Sequence, residues 1–525
     1  MFSFFSNNLT VKLFGHIAAL TLFVSLLFFG CGGGSSYNGG FPSVIATYDV
    51  IFLDEDDGEI AKLNAEAGSS ITVPEALEKE GYEFEGWFEV GGAQTIAAGE
   101  TSYIVTGNVT FKARYQYVEI FRVAFYDANL ELLWEENITQ GSIVDLDNKS
   151  LEYATSWYLS KNTTKAEGIF TPDSNISFYA APNIIEISNQ EGLNSVRDNL
   201  TGKYILTGDI KLKAGEDGVD ETLGWLPIGN SSSTFTSAFA GSFNGTFNGN
   251  GHTISGFWID RAFDCVGLFG YVNAGKIKNL GLLIDEGKGV KGKGRVGAIA
   301  GYLGRNSTIT NSYAKGNISG SDSRVGGIAG QLSSSMVDGS YFTGSVSGSS
   351  LYVGGIAGDI FIASSITNSY SIGNVSGDYD RIGGIVGNAY DNSKITNSYS
   401  EASVSGKNYV GGIAGHVFNN TTLTNNAAIN QKINGTTDVN RISGGRVGGN
   451  ATNNFALDSM EVIGTTGGVV GTSKDITQLK TKSTYEGTIN GDGNGGLGWK
   501  FGDNASYPWK MDEDEGYPYL YWEDR

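Results

Sequence analysis

The chain has 525 residues, 77 of them Gly but only 7 Pro, which marks turn-dense β structure and excludes collagen and Pro-rich linkers. Its 56 Asp and Glu against 35 Lys and Arg give a formal charge of -21, which argues against nucleic acid as a partner. Two Cys, Cys31 and Cys265, make no disulfide framework, and His16, His252 and His416 form no His-Glu-x-x-His zinc motif.

The apolar run from Leu13 to Gly30 follows Lys12 and ends at Cys31-Gly-Gly-Gly-Ser-Ser36, the pattern of a secretion signal. A permanent membrane helix is the competing reading, because the run is near the minimum spanning length. Cys after a small residue at the end of such a run resembles the bacterial lipoprotein processing site, although Phe28 stands where Leu is usual. That resemblance implies a signal peptide over 1–30, lipidation at Cys31, a flexible tether over 31–47 and an exported chain anchored by lipid to the outer membrane, facing outward.

Residues 48–117 alternate as strands, turn at Asp54-Glu-Asp-Asp-Gly58, allow a short helix after Pro74 and contain Gly81-Tyr-Glu-Phe-Glu-Gly-Trp-Phe88. This order resembles the Listeria-Bacteroides (internalin B-type) repeat, which implies a small β-grasp module serving as spacer or adhesive unit. Trp87 reads as core. A degenerate second β-grasp-like copy is expected over 118–182, from Phe121 through Trp157-Tyr158 to Ser177-Phe-Tyr-Ala180. Fifteen acids against four bases lie between Tyr48 and Glu119, while Lys291 to Gly415 is nearly neutral with nine bases and seven acids. Asp54 to Gly58 lacks the ligand spacing of an EF-hand loop, so a solvated hairpin turn is expected there and no metal.

Over 266–480 a block near Val-Gly-Gly-Ile-Ala-Gly returns at Val296, Val325, Val353, Ile382 and Val410, in steps of 29, 28, 29 and 28 residues. Ile309-Thr-Asn-Ser-Tyr313, Ile366-Thr-Asn-Ser-Tyr370 and Ile395-Thr-Asn-Ser-Tyr399 keep the same beat, as do Val346-Ser-Gly and Val375-Ser-Gly. Three short apolar runs per unit, separated by turn residues, cannot bury their apolar side alone. Winding each unit once around an axis and stacking it on the last, about 4.8 Å away, solves this and predicts a parallel β-solenoid. In it Val325 and Ile328 both face inward if the intervening Gly-Gly bends the chain. Period two places Ile366, Asn368 and Tyr370 on one face and Thr367 and Ser369 on the other. The Asn and Tyr columns are either structural, with amides bonded along the stack, or a platform for sugar.

The repeats resemble the GLUG motif. The leader and cap over 183–265, with Trp225-Leu-Pro-Ile-Gly229 and Gly251-His-Thr-Ile-Ser255, and the closing segment over 481–525, with Tyr517-Pro-Tyr-Leu-Tyr-Trp522, extend the resemblance. Such repeats occur in bacterial surface proteins, including adhesins and some immunoglobulin A-specific metallopeptidases, so the resemblance implies a scaffold and leaves the activity open. The peptidase option lacks its zinc motif here.

The residue before each Val or Ile forms a stripe, Arg295, Arg324, Tyr352, Arg381 and Tyr409. If it faces outward, Arg324 pairs with Tyr352 and Arg381 with Tyr409, and the stripe contacts a glycan or an anionic polymer; otherwise it clothes a sheet face. A polysaccharide-acting enzyme would need clustered carboxylates. Asp322, Asp338, Asp359, Asp378, Asp380 and Asp391 fall at different phases of the repeat, and Asp378 with Asp380 is the best pair. The expectation is therefore a mainly β, non-enzymatic adhesin or ligand-binding lipoprotein without cofactor, its partners the membrane and a glycan or a surface protein of a host or neighbouring cell. A structural envelope protein without a ligand is the alternative.

Overall fold

The structure, a computed structural model, describes residues 45–79, 81–146, 157–160, 165–166, 169–181, 183–229, 241–487, 495–512 and 516–523. The signal segment, Cys31 and most of the tether fall outside them. The chain divides into two compact units, residues 1–118 and 119–525.

The first unit holds a five-stranded sheet in the order Glu59–Glu66, Thr47–Leu53, Val109–Tyr117, Tyr82–Glu89, Thr95–Ala97, with Thr47–Leu53 parallel to Val109–Tyr117. Its core is aromatic: Phe52 stacks on Phe111 at 5.5 Å and meets Trp87 edge-on at 5.0 Å, and all three are buried. The expected helix after Pro74 is absent, since residues 73–79 have no regular structure. The acidic turn is a hydrogen-bonded hairpin in which Asp54 Oδ1 accepts from the backbone N–H groups of Asp56 and Gly58 at 2.9 and 2.6 Å.

Residues 120–179 repeat that topology strand for strand. The order Leu132–Thr139, Ile120–Tyr126, Ile176–Tyr179, Trp157–Tyr158, Lys165–Ala166 has the same parallel pair at its centre. Phe125, Trp157 and Phe178 reproduce the aromatic core, with Phe125 on Phe178 at 5.2 Å and edge-on to Trp157 at 5.0 Å. One turn has changed its use. Leu130 occupies the left-handed position (φ 64) that Asp57 (φ 69) holds in the first module. There it is fully buried among Tyr126, Tyr179, Ile184 and Ile205, so this module shares a core with the start of the solenoid. Asn248 donates to Leu130 O, and Lys278 donates to Asn129 O at 2.7 Å and pairs with Glu131.

The solenoid has about seven coils of about 29 residues. Each coil carries four ladders rather than three, because the Val-Gly-Gly-Ile-Ala block is two strands joined by a bend. Val325–Gly326 belongs to one seven-stranded ladder and Ala329–Ser333 to another. Val325 and Ile328 are both fully buried, as the bend requires. A Cβ on Gly327 would lie 2.1 Å from Gly355 O and 2.3 Å from Phe342 Cγ, so this coil leaves room only for Gly, whereas Leu268 and Ala298 fill the same column in the first coils. The interior columns, Val266, Val296, Val325, Val353, Ile382, Val410 and Val439 among them, contribute about 1.5 to 3 kcal/mol per fully buried side chain. Val439 and Ile442 pair with Val410 and Ile413, so one more coil follows Val410, with Asn440-Arg441 where the four preceding coils have Gly-Gly.

The Ile-Thr-Asn-Ser-Tyr run is not one flat strand. Asn311, Asn368, Asn397 and Asn425 adopt the left-handed region (φ 46 to 60), and the corner they make turns the following residue inward. Ser312, Ser340, Ser369 and Ser398 are therefore fully buried, against the period-two expectation. Each hydroxyl accepts the backbone N–H of the same residue one coil earlier or its equivalent: Ser312 N to Ser340, Ser340 N to Ser369 and Ser369 N to Ser398, at 3.2 to 3.3 Å. Asn426 and Asn454 continue this column.

A helix at Gln190–Ser195, capped by Asn189, covers the first coil with Leu193 and Val196 buried, as expected for the leader. At the other end the helices Ile476–Leu479 and Lys482–Glu486 bury Leu479 and Tyr485.

Candidate functional site

Three features of the second unit present side chains in register. The first is the Arg/Tyr stripe. Arg295, Arg324, Tyr352, Arg381 and Tyr409 all take left-handed backbone, φ 47 to 75, which costs about 1 to 3 kcal/mol per non-Gly residue. In a chain so rich in Gly, bulky residues there hold their place through their side chains. Those side chains lie half-buried over a polar column that the sequence reading missed, Gln331, Asp359, Asn388 and His416. Asp359 is 1% exposed and accepts from Gln331 Nε2 at 2.7 Å and Asn388 Nδ2 at 2.8 Å, with Arg324 Nε at 3.4 Å. Burial still pushes its pKa up, while those three partners oppose the shift. Arg295 bonds Gln331 Oε1 at 2.7 Å and pairs with Asp264.

The expected pairing is half right. Arg324 lies 5.5 Å from the Tyr352 ring, but Arg381 turns to the other side of the same ring, at 5.1 Å, and bonds the Tyr352 hydroxyl at 3.0 Å. Tyr409 instead meets His416 edge-on at 4.9 Å. Burial, and then the charge of Arg381, lower the His416 pKa to about 4. The stripe thus acts first as the cover of a buried polar column. The Asp column shows why it was missed in sequence: Asp359 aligns with Gln331, Asn388 and His416, four residue types without a common pattern.

The second feature is the Tyr column. Tyr313, Tyr341, Tyr370 and Tyr399 stack face to face, 4.7 to 5.0 Å apart and within 6° of parallel. Their inner faces are therefore spent on one another, and the end rings Tyr313 and Tyr399 lie over Gly281 and Ala427, which leaves mainly edges for a ligand. The closing segment covers those edges. Trp509 lies against Tyr399 and Tyr370, and Trp522 against Tyr341 and Tyr313, while Tyr370 donates to Glu523 Oε2 at 2.7 Å. Trp499 Nε1 bonds Asn425 O at 2.8 Å and Trp522 Nε1 bonds Gly339 O at 3.2 Å, so the segment returns along the stack and staples successive coils. Of the two readings of this column, the structure supports the structural one.

The third feature is a groove where the staple ends. It has a volume of about 630 Å³ and lies between the second module, through Glu131 and Leu132, and the staple, through Tyr521, Trp522 and Glu523. Tyr313 and Tyr341 form its floor, and the corner asparagines Asn250, Asn279 and Asn311 line one wall. Asn279 Nδ2 bonds Asn248 Oδ1 at 3.1 Å, and Asn311 Nδ2 bonds the Tyr521 hydroxyl at 3.3 Å. Lys315 reaches over Tyr313 at 5.2 Å. A second hollow of about 890 Å³, lined by Arg122, Glu135, Glu186 and His252, shares Leu132 and Asn250 with the first. Only the folding of three distant segments onto one another makes this site.

The carboxylates singled out in sequence stay apart. Asp378 and Asp380 flank the exposed Tyr379 in a surface loop, where Asp380 accepts from Asn408 Nδ2 at 2.9 Å. Cys265 is buried, as expected, and burial raises its pKa to about 12.

Among known proteins, halomucin of Haloquadratum walsbyi is 32% identical over 193 residues, 35% of this chain and 2% of halomucin. A "Putative Gly-rich membrane protein" of Evansella cellulosilytica is 28% identical over 125 residues, 23% of this chain and 14% of that protein. The matched stretches thus span a small part of either relative. A crystal structure of a "putative immunoglobulin A1 protease" from Bacteroides ovatus is 22% identical, with a TM-score of 0.43 over 66% of this chain and 94% of that one; the likeness is too loose to bear on fold or activity. The family model of the Listeria-Bacteroides repeat domain matches residues 48–114, and that of the GLUG motif matches 292–319 and 378–405. The chain accordingly carries a Listeria-Bacteroides repeat domain followed by a β-solenoid built on GLUG motifs.

Proposed function

We propose that this is an exported, lipid-anchored surface protein that binds a ligand without transforming it, an adhesin whose solenoid is the binding element. The observation that carries the reading is the groove at the staple's end, an open site lined by amides and by Tyr313, Tyr341 and Trp522. The carboxylates of this groove are engaged, Glu131 with Lys278 and Glu523 with Tyr370, as are those of the neighbouring hollow, Glu135 with Arg122 and Glu186 with Tyr179. That engagement favours binding over acid–base catalysis. GLUG motifs, the Listeria-Bacteroides repeat and the apolar run before Cys31 support a place on the cell envelope.

The test is topological. Intact cells are treated with protease, and an antibody to residues 183–525 follows the solenoid, with a periplasmic protein as leakage control. Loss of the solenoid with the control intact is expected. Protection on intact cells, with cleavage after lysis, refutes an outward-facing adhesin.

A further inference from the structure

We infer that the groove between the second β module and the closing segment binds a linear, uncharged glycan; the inference rests on the ligand-binding reading above and names its ligand class. Three observations carry it.

The first is the kind of hydrogen bonding on offer. The wall residues Asn250, Asn279 and Asn311 recur once per coil, about 4.8 Å apart along the stack, a spacing comparable with the length of one sugar ring. A primary amide carries two donors and an acceptor in one plane, which suits hydroxyl groups that both give and take hydrogen bonds; Asn279 and Asn311 each give one Nδ2–H, to Asn248 and Tyr521, and keep a second, while Asn250 gives its Nδ2 to Tyr126 and Leu206. The backbone at this wall is already paired along the stack, Gly251 N to Asn279 O at 2.9 Å, Asn279 N to Thr310 O at 3.0 Å and Asn311 N to Asp338 O at 3.1 Å. An extended peptide would therefore find no open strand edge to augment.

The second is charge. Four carboxylates, Glu131, Glu135, Glu186 and Glu523, line the two hollows, and their partners lie within the protein. A polyanion would meet all four, with Lys315 the one lining Lys or Arg that has no carboxylate partner among the described residues. An uncharged chain meets no such repulsion.

The third is length. The hollows of about 630 and 890 Å³ share Leu132 and Asn250 in their linings, so they are neighbours and together offer an extended site. A chain fits it better than a single sugar. Trp522, Tyr313 and Tyr341 lie at one end and offer apolar contact for sugar C–H groups, although the stacked tyrosines present mainly their edges.

The full-length chain is run through native gels holding laminarin, mannan or galactan as uncharged probes, and alginate or polygalacturonate as acidic ones. Leu132, 45% exposed and lining both hollows, is replaced in Leu132→Trp to obstruct them without touching a core, and Asn311→Ala removes one wall amide. Retardation by an uncharged glycan, weakened at least tenfold by both variants and unchanged by Arg324→Ala with Arg381→Ala, is the expected result. Retardation lost only with the Arg324/Arg381 pair overturns the groove but leaves ligand binding standing. Preference for an acidic glycan, abolished by Lys315→Ala, overturns the ligand class. Binding to none of the five, in cells that still adhere through this protein, overturns the glycan inference alone; loss of adhesion as well overturns both.

Discussion

Replacing Ser369 by Ala removes one rung of the buried hydroxyl column. Its Oγ accepts from Ser340 N at 3.3 Å and donates to Thr367 O at 2.7 Å. Thr367 O keeps a second donor, Gly339 N at 3.2 Å, so the group left without a partner is the Ser340 N–H. An orphaned buried donor costs about 1 to 3 kcal/mol, and the lost Thr367 bond adds about 0.5 to 1 kcal/mol, giving an expected loss of about 2 kcal/mol. Coils of a solenoid open locally, so exchange of the Ser340 amide is a direct assay, and about 2 kcal/mol corresponds to roughly thirtyfold faster exchange. Ser369→Asn is the internal control, because Asn426 and Asn454 fill the same column and accept the same N–H in their coils. It should restore most of the protection. A Ser369→Ala protein within about 0.5 kcal/mol of the parent, with Ser340 equally protected, refutes the reasoning.

Gly327→Val sets a side chain against Gly355 O and the Phe342 ring, and overpacking of that kind should cost about 3 kcal/mol or more, seen as a lower urea midpoint. Because the folded His416 pKa is lowered to about 4, its contribution is complete above the unfolded value of about 6.5 and is lost as pH falls toward 4. Partial exposure discounts the loss to about 1 to 2 kcal/mol, and His416→Asn should flatten that part of the stability profile; Asp359, with a raised pKa, titrates the other way and is common to both proteins. Trp522→Ala should bare the Tyr313 and Tyr341 edges, lower stability by about 2 kcal/mol and speed proteolysis of the closing segment. Leu130→Ala should cost about 2 to 4 kcal/mol and loosen the second module from the solenoid, as read by exchange in 184–206, because Leu130 is fully buried in their shared core.

Much of this was legible from the repeat. A 28- or 29-residue beat of short apolar runs has one economical solution in stacked parallel coils, and the Val325 and Ile328 columns follow from it. The Gly-Tyr-Glu-Phe-Glu-Gly-Trp run gave the first module, and Phe121 with Trp157 gave the second, whose topology matches although the family model matches only the first. The corner at each Asn was not legible, because period-two alternation assumes a strand that continues, and a single left-handed residue reverses every face after it. Nor was the left-handed stripe, since Arg and Tyr give no local signal of positive φ; their side chains are held there by Asp359, Gln331 and each other.

By itself, the sequence determined the class of fold, the length of the coil, the inward columns and the two aromatic-cored modules, because each depends on residues close together or repeated at a constant interval. Tertiary structure alone decided what covers the Tyr column, what the second module rests on and where a groove opens. Those outcomes join Leu130, Asn279 and Trp522, which are up to 392 residues apart, and no periodicity in a chain encodes which distant surface its end will fold back upon.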